Sequence, residues 1–235
     1  MPSKSTDAII IHSIDFRESD KIICALTRDQ GMINAIARGA KRSKKRFPGT
    51  LEPFCEVVLD LFSRKGMELQ SIESAKLKTA NLGIRENLAL FAHASVLLEI
   101  VRENLGPQDP SPETFVCLRE ALSTMEKSRH WFPVWSIGLL SILRSLGYGI
   151  DLHDRAANSH TGAALGPFSR LSPEAYACLE KGVSLNHEVL AKLSVRSGAQ
   201  REISRCLLQV CTAISEKPLK SGTFLAKLLD LDMKQ

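Results

Sequence analysis

Apolar residues recur at every second position in short runs from Asp7 to Ser74, and at every third or fourth position from Asn81 onward, so the chain reads as strands first and helices after. Asp7 to Phe16 opens the strand part, with Ile9 and Ile11 on one face and Ile10 and His12 on the other. Both faces are largely apolar, and this strand is expected to be covered on both sides. Lys21 to Thr27 and Met32 to Ala37 follow as strands joined across Arg28-Asp29-Gln30-Gly31, a polar tetrapeptide ending in glycine that suits a hairpin turn. Phe54 to Phe62 gives a fourth strand, with Val57, Leu59 and Leu61 facing one way. After a turn at Arg64-Lys65-Gly66, Met67 to Ser74 gives a fifth. A flat sheet of this size would leave its edges and one apolar face open, so five short strands predict a small closed or nearly closed barrel. An oligonucleotide-binding (OB) barrel is the natural candidate, although strand count alone also fits an SH3-like barrel.

In the second part, Phe91, Ala94, Leu98, Val101 and Leu105 trace a helix that stops at Gly106-Pro107. Ser111-Pro112-Glu113 supplies a cap, a proline at the first helical position and an acid in the first turn, and predicts a second helix to about Lys127. Phe132, Trp135, Leu139, Leu143 and Leu146 mark a third, ended by Gly147. Residues 149–170 are rich in small and polar residues with little periodicity and read as a loop. Ser172-Pro173-Glu174 starts a further helix, Ile203, Leu207, Val210 and Ile214 mark another, and Leu219 to Leu231 is a short amphipathic one. The fold class is therefore α+β: a barrel over residues 1–80 packed against an all-helical part over residues 81–235.

Composition changes this picture little; charge changes it more. The 235 residues are 44% hydrophobic and 24% charged, the make-up of an ordinary globular protein. Of the net charge of +5, the first 80 residues carry +4, from fourteen Lys and Arg against ten Asp and Glu. The anionic partner implied by the charge thus belongs to the N-terminal part. Within it, six of the nine residues from Arg38 to Arg46 are cationic: Arg38, Lys41, Arg42, Lys44, Lys45 and Arg46. A bare charge run is often only a solvated surface. This one connects two strands, which confines it to a place the fold holds, and it reads as a phosphate-binding loop.

Six scattered cysteines without a C-x-x-C pair read as mostly buried thiols of a reducing compartment. Asp7, His12, Asp15 and Arg17 interrupt the N-terminal apolar residues, so no signal peptide is expected. Val134 to Leu143, the longest apolar run, is far short of the roughly 20 residues that span a bilayer. The expected location is cytoplasmic, with no membrane partner. No phosphate-binding glycine loop and no dinucleotide fingerprint is present, and no pair of carboxylates stands out for acid–base work. His153 and His160 near Asp151 and Asp154 lack the spacing of a metal site and read as surface histidines. His93, beside an apolar stripe, reads as a structural histidine. A binding protein is expected, with no catalytic residue, cofactor or metal.

Several short segments are more specific. Asp7-Ala8-Ile9-Ile10-Ile11, Glu18-Ser19-Asp20-Lys21, Thr27-Arg28-Asp29-Gln30-Gly31, Arg38-Gly39-Ala40-Lys41-Arg42, Leu51-Glu52-Pro53-Phe54 and Lys217-Pro218-Leu219-Lys220-Ser221 resemble, in this order, the bacterial RecO family of DNA repair proteins. The resemblance implies an N-terminal OB domain and a helical domain. It also implies a nucleoid-associated role in the RecF pathway of recombinational repair: binding single- and double-stranded DNA, annealing complementary strands and, with RecR, helping RecA replace single-stranded DNA-binding protein (SSB). Many members carry a four-cysteine zinc module after a segment like Leu146-Gly147-Tyr148. Here only Cys178 falls in the stretch that follows, so residues 149–170 are at most a degenerate form of it and zinc is not expected.

The four phenylalanines of the first 80 residues, at 16, 47, 54 and 62, are partly assigned to strand cores, so phosphate attraction is expected to outweigh base stacking. Arg64 and Lys65 are possible outlying cations. The resemblance also implies a pocket for the acidic, apolar SSB tail in the helical part, for which Trp131, Phe132, Trp135, Arg129 and Arg144 are candidates, although aromatic residues at helical spacing are more often core. The competing reading is a general RNA-binding or ribosome-associated OB protein, which the basic loop alone would allow.

Overall fold

The computed structural model describes residues 4–43, 45–62, 69–150, 152 and 167–231. Five strands, β1 (Lys4–Phe16), β2 (Asp20–Thr27), β3 (Gly31–Ala37), β4 (Glu56–Phe62) and β5 (Gln70–Thr79), close into a barrel in the order β1-β2-β3-β5-β4. Neighbours are antiparallel except β3 and β5, which run parallel at Ala35–Gln70 and Ile36–Ser71. A third strand that neighbours the fifth instead of the fourth makes a five-stranded Greek-key barrel, the OB arrangement, and decides against the SH3-like alternative.

Ile10, Ile23, Ile33, Val57, Leu59 and Leu61 pack the barrel interior, the last three on one face as their alternation requires. Ile9 and Ile11 are also buried, so β1 is covered on both sides. The register of β1 on β2 slips by one residue between Ile10 and His12. This bulge puts Ser13 opposite the interior residue Ile23 and turns Ile14 outward.

Three strand boundaries differ from expectation by more than one residue, the first being β1, which begins at Lys4 instead of Asp7. Phe54 lies outside β4: it takes a positive φ of 73°, hands its N–H to Ile10 O and accepts from Asn81 Nδ2, while its ring is buried. The fifth strand runs to Thr79, because Lys76 and Lys78 are outward positions of a strand whose pairing with β4 continues to Glu56–Thr79. The expected start at Met67 and the turn at Arg64-Lys65-Gly66 lie outside the described residues.

The helices described are α1 (Leu82–Glu86), α2 (Leu88–Asn104), α3 (Pro112–Lys127), α4 (Trp131–Ser145), α5 (Pro173–Gly182), α6 (His187–Leu190), α7 (Ser197–Ile214) and α8 (Lys220–Leu231), with a 3₁₀ turn at Pro167–Arg170. Ser172 caps α5 as its sequence requires, accepting from Ala175 N. The two short helices carry too few periodic positions to register as a pattern, although Asn186 caps α6 through Val189 N.

The chain divides into two units, Met1–Leu82 with Leu105–Arg119, and Gly83–Asn104 with Glu120–Gln235. In the first, the segment after α2 lies against the β2–β3 turn. Gln108 N donates to Met32 O at 2.9 Å, and Gly31, at φ 68°, sits so close to Asp109 that a β-carbon there would stand 1.9 Å from its carbonyl oxygen. In the second unit, Trp135 is fully buried and donates from Nε1 to His93 O at 2.8 Å. The His93 ring lies edge-on to Trp135, with Nδ1 2.7 Å from Ala89 O and Nε2 3.3 Å from Ser204 Oγ. The histidine is thus a satisfied core residue.

Candidate nucleic-acid interface

Residues 38–55 join β3 to β4, and the connection is built onto the barrel instead of standing free of it. Gly39, at φ 68°, donates its N–H to Asp20 Oδ1 at 2.8 Å. Lys41 N donates to Ser19 O at 2.9 Å, which ties the loop to the β1–β2 turn. Arg42 N and Ser43 N both return to Gly39 O and make a tight turn. At the far end Phe47 and Leu51 enter the barrel core, and Arg46 O accepts from Ala75 N of β5. Two buried apolar anchors and a frame of backbone hydrogen bonds fix where the cations stand.

Arg38, Lys41, Arg42, Lys45 and Arg46 are all exposed; Lys44 lies outside the described residues. They are not equivalent. Lys41 Nζ pairs with Asp15 Oδ2 at 2.9 Å, and Arg42 reaches Glu18 at 3.6 Å. Arg46 braces the loop, with Nη2 donating to Arg38 O at 2.7 Å and Cζ 5.1 Å from the centroid of the Phe47 ring. Arg38 and Lys45 make no ion pair among the described residues. The sequence count of six therefore overstates the unopposed charge, because carboxylates distant in sequence are folded against it.

The same contacts set the electrostatics of the docked loop. A hydrogen bond from Lys41, reinforced by the charges of Lys41 and Lys21, holds the Asp15 carboxyl below its ordinary value against the opposing effect of desolvation. Asp20 is lowered first by the Gly39 N–H and then by Ser19, Arg17 and Arg38, again against desolvation. Lys21, whose Nζ is 2.7 Å from Glu52 and 4.0 Å from Asp15, completes the network. Sequence reading missed Arg17, which brings a further exposed cation to Asp20 from the β1–β2 turn. Isolated between Phe16 and Glu18, it offers no charge run to notice.

The phenylalanines are distributed against expectation. Phe47 and Phe54, both in the connection, are buried, whereas Phe16 and Phe62, both in strands, are only half-buried. Of the aromatic residues considered for a peptide pocket, Phe132 and Trp135 lie in the helical core around His93, as their helical spacing suggested, and Trp131 alone of the three is half-buried. Phe132 and Trp135 offer no open aromatic face. An apolar cavity lies elsewhere in that unit, lined by Leu140, Arg144, Ile150, Leu152 and Val183. Among the described residues no three His, Cys, Asp or Glu side chains are placed to hold a metal, and His153, His160, Asp151 and Asp154 lie outside them. No described helix is long and apolar enough to cross a membrane.

Residues 1–81 match the model for the recombination protein O N-terminal domain, and residues 85–223 match the one for its C-terminal domain. The chain belongs to the RecO family. It is similar to a DNA repair protein RecO of Geobacter metallireducens, 30% identical over 246 residues that cover 97% of this chain and 99% of the relative. RecO proteins of an Anaeromyxobacter species and of Syntrophobacter fumaroxidans are 33% and 36% identical over 167 and 148 residues. Those alignments cover 69% and 63% of this chain, and 62% and 58% of the relatives. The closed five-stranded barrel and the helical region correspond to the two RecO domains. The closing Lys217-Pro218-Leu219-Lys220-Ser221 segment of the RecO resemblance has a structural role here: the Glu99 carboxylate accepts from Lys220 N, Ser221 N and Ser221 Oγ at the start of α8, and Lys217 pairs with Glu103.

Proposed function

We propose that this protein is a mediator of recombinational DNA repair, acting by binding and not by catalysis. Membership of the RecO family supports a role in DNA repair. In this reading the barrel binds single- and double-stranded DNA and anneals complementary strands, and with RecR the protein helps RecA replace SSB on single strands. The observation that carries the binding step is the loop of Arg38, Lys41, Arg42, Lys45 and Arg46, exposed and bolted to the β1–β2 turn through Gly39–Asp20 and Lys41–Ser19. Lys44, which lies outside the described residues, belongs to the proposed set by its place in the charge run alone.

Phosphates attract these side chains irrespective of sequence, and a fixed cationic surface screens the repulsion between two backbones while base edges stay free to pair. Neutralising six phosphates would give a slope of log affinity on log salt of about −4 for single strands. Because Lys41 and Arg42 already face carboxylates, we expect about −3. The deciding experiment is annealing of complementary single strands coated with SSB, comparing the intact protein with a variant in which Lys41, Arg42, Lys44, Lys45 and Arg46 are alanine. Loss of annealing with folding and SSB binding unchanged supports the reading; full annealing by the folded variant overturns it. Preference for RNA over DNA in the same titrations would favour the ribosome-associated alternative.

For the SSB tail, which is acidic and apolar, the cavity beside Arg144 offers both features that such a peptide needs. Arg144→Glu would abolish tail-peptide binding, and unchanged binding would exclude this cavity.

A further inference from the structure

One peptide of the cationic loop is held by opposite charges at its two ends. The peptide between Arg38 and Gly39 donates its N–H to Asp20 Oδ1 at 2.8 Å, and its carbonyl, Arg38 O, accepts from Arg46 Nη2 at 2.7 Å. Each hydrogen bond has a charged partner, which makes it stronger than one between neutral groups. The peptide so oriented is the one where the chain leaves β3, ahead of Lys41, Arg42 and Lys45.

The two holders are anchored to different strands. Asp20 begins β2, is only 9% exposed and also accepts from Ser19 Oγ at 3.0 Å. The Gly39 N–H does most to keep its carboxyl below the ordinary value, against the effect of burial, so the group is an anion at neutral pH. Arg46 is tied to β5, because Ala75 N donates to its carbonyl. Its side chain lies against Arg38 O, Ser43 Oγ, 3.4 Å from Nε, and the Phe47 ring. A β-carbon on Gly39 would stand 3.2 Å from Arg46 Nη2, and the φ of 68° at that residue favours glycine in its own right. The backbone thus leaves room for the clamp as well as supplying its two ends.

We infer that Asp20 and Arg46 are positioning residues for DNA binding: by clamping the Arg38–Gly39 peptide from both ends, they hold the loop in the arrangement in which Arg38, Lys41, Arg42 and Lys45 meet phosphates together. Asp20 therefore aids the binding of a polyanion although it is itself an acid. Arg46 acts chiefly through the shape of the loop and not as one more phosphate contact. A loop that is correctly arranged only part of the time binds more weakly in proportion to that fraction, whatever the salt concentration. The inference deepens the proposed function and rests on its claim that this loop binds DNA.

The test uses the full chain and labelled oligo-dT, titrated over a range of salt, and compares Asp20→Asn with Asp20→Ala. Both variants lose the same charge, but asparagine keeps an oxygen for the Gly39 N–H and alanine does not. The alanine variant is expected to bind about fivefold more weakly than the asparagine variant, by the same factor at each salt concentration. Its Gly39 amide proton should also exchange faster with solvent. Arg46→Lys keeps the charge but loses the planar fork, and should bind about fivefold more weakly than the intact protein with the salt slope unchanged. Equal affinities of the two Asp20 variants, or full affinity of Arg46→Lys, overturns the clamp and leaves the phosphate-binding loop standing. If urea unfolding shows that Asp20→Ala does not fold, the exposed Arg46 position decides alone. Failure of the intact protein to bind oligo-dT overturns the proposed function, and this inference with it.

Discussion

Lys41 Nζ lies 2.9 Å from Asp15 Oδ2, so the central cation of the basic loop is already held by a carboxylate of β1. Asp15 tethers the loop, and under the proposed function it also opposes DNA binding by occupying Lys41. We expect Asp15→Asn to free Lys41 and tighten single-strand binding a few-fold at low salt, with the salt slope steeper by about 0.7. Fluorescence titration at several ionic strengths checks this. The pair is exposed and contributes little to folding. Because the folded carboxyl is depressed from 3.8, what it contributes is fully present above that value and is lost as pH falls through the lowered one. Loop docking is therefore unaffected near neutral pH.

Gly31 is fixed twice, by its φ of 68° and by the Asp109 carbonyl 1.9 Å from where a β-carbon would stand. Gly31→Ala should cost about 3 kcal/mol or more in urea unfolding, through backbone strain and displacement of residues 107–109. Gly49 has a similar φ of 70° but no atom within 4 Å, so Gly49→Ala should cost only about 1 kcal/mol. The difference between the two measures the close approach.

Glu99 serves as the N-terminal cap of α8 from another helix, accepting from two backbone N–H groups and the Ser221 hydroxyl. Removing it orphans those donors beside the positive end of the helix. Glu99→Ala is expected to cost about 2 kcal/mol, with amide exchange accelerated first in α8. Ser221→Ala, which keeps both N–H contacts, should cost less than half as much.

Burial pulls His93 down to about 4 from 6.5, with the hydrogen bond to Ala89 O opposing it only in part. The unfolded chain takes up this proton at a higher pH than the folded one. Stability is then fully present above pH 6.5 and falls as the pH is lowered towards 4, by roughly 3 kcal/mol for a shift of this size. His93→Gln should be less stable at neutral pH yet show a flatter decline in unfolding free energy between those limits.

Much of the architecture was legible in the chain because the relevant physics is local. Alternation at Val57, Leu59 and Leu61, the turn at Gly31, the proline start of α3 and the serine cap of α5 each depend on a few neighbouring residues, and each stands where the pattern put it. The helices α1 and α6 left no such trace, being about one turn long. At the candidate site the loop was visible as a run of charge, but its net field was not, since Asp15 and Glu18 reach it only through the fold.

By itself the sequence determined the change from strands to helices, the concentration of positive charge between β3 and β4, and the segments that mark the RecO family. All of these are properties of order along the chain. The tertiary structure decided the parallel contact of β3 with β5, the outward turn of Ile14 after the bulge, and the exchange by which Phe47 is buried while Phe16 is left half open. It also decided which loop cations face acids and which face solvent. The physical reason is that periodicity fixes only how a side chain alternates with its neighbours, whereas burial and ion pairing depend on which distant segment closure of the barrel brings against it.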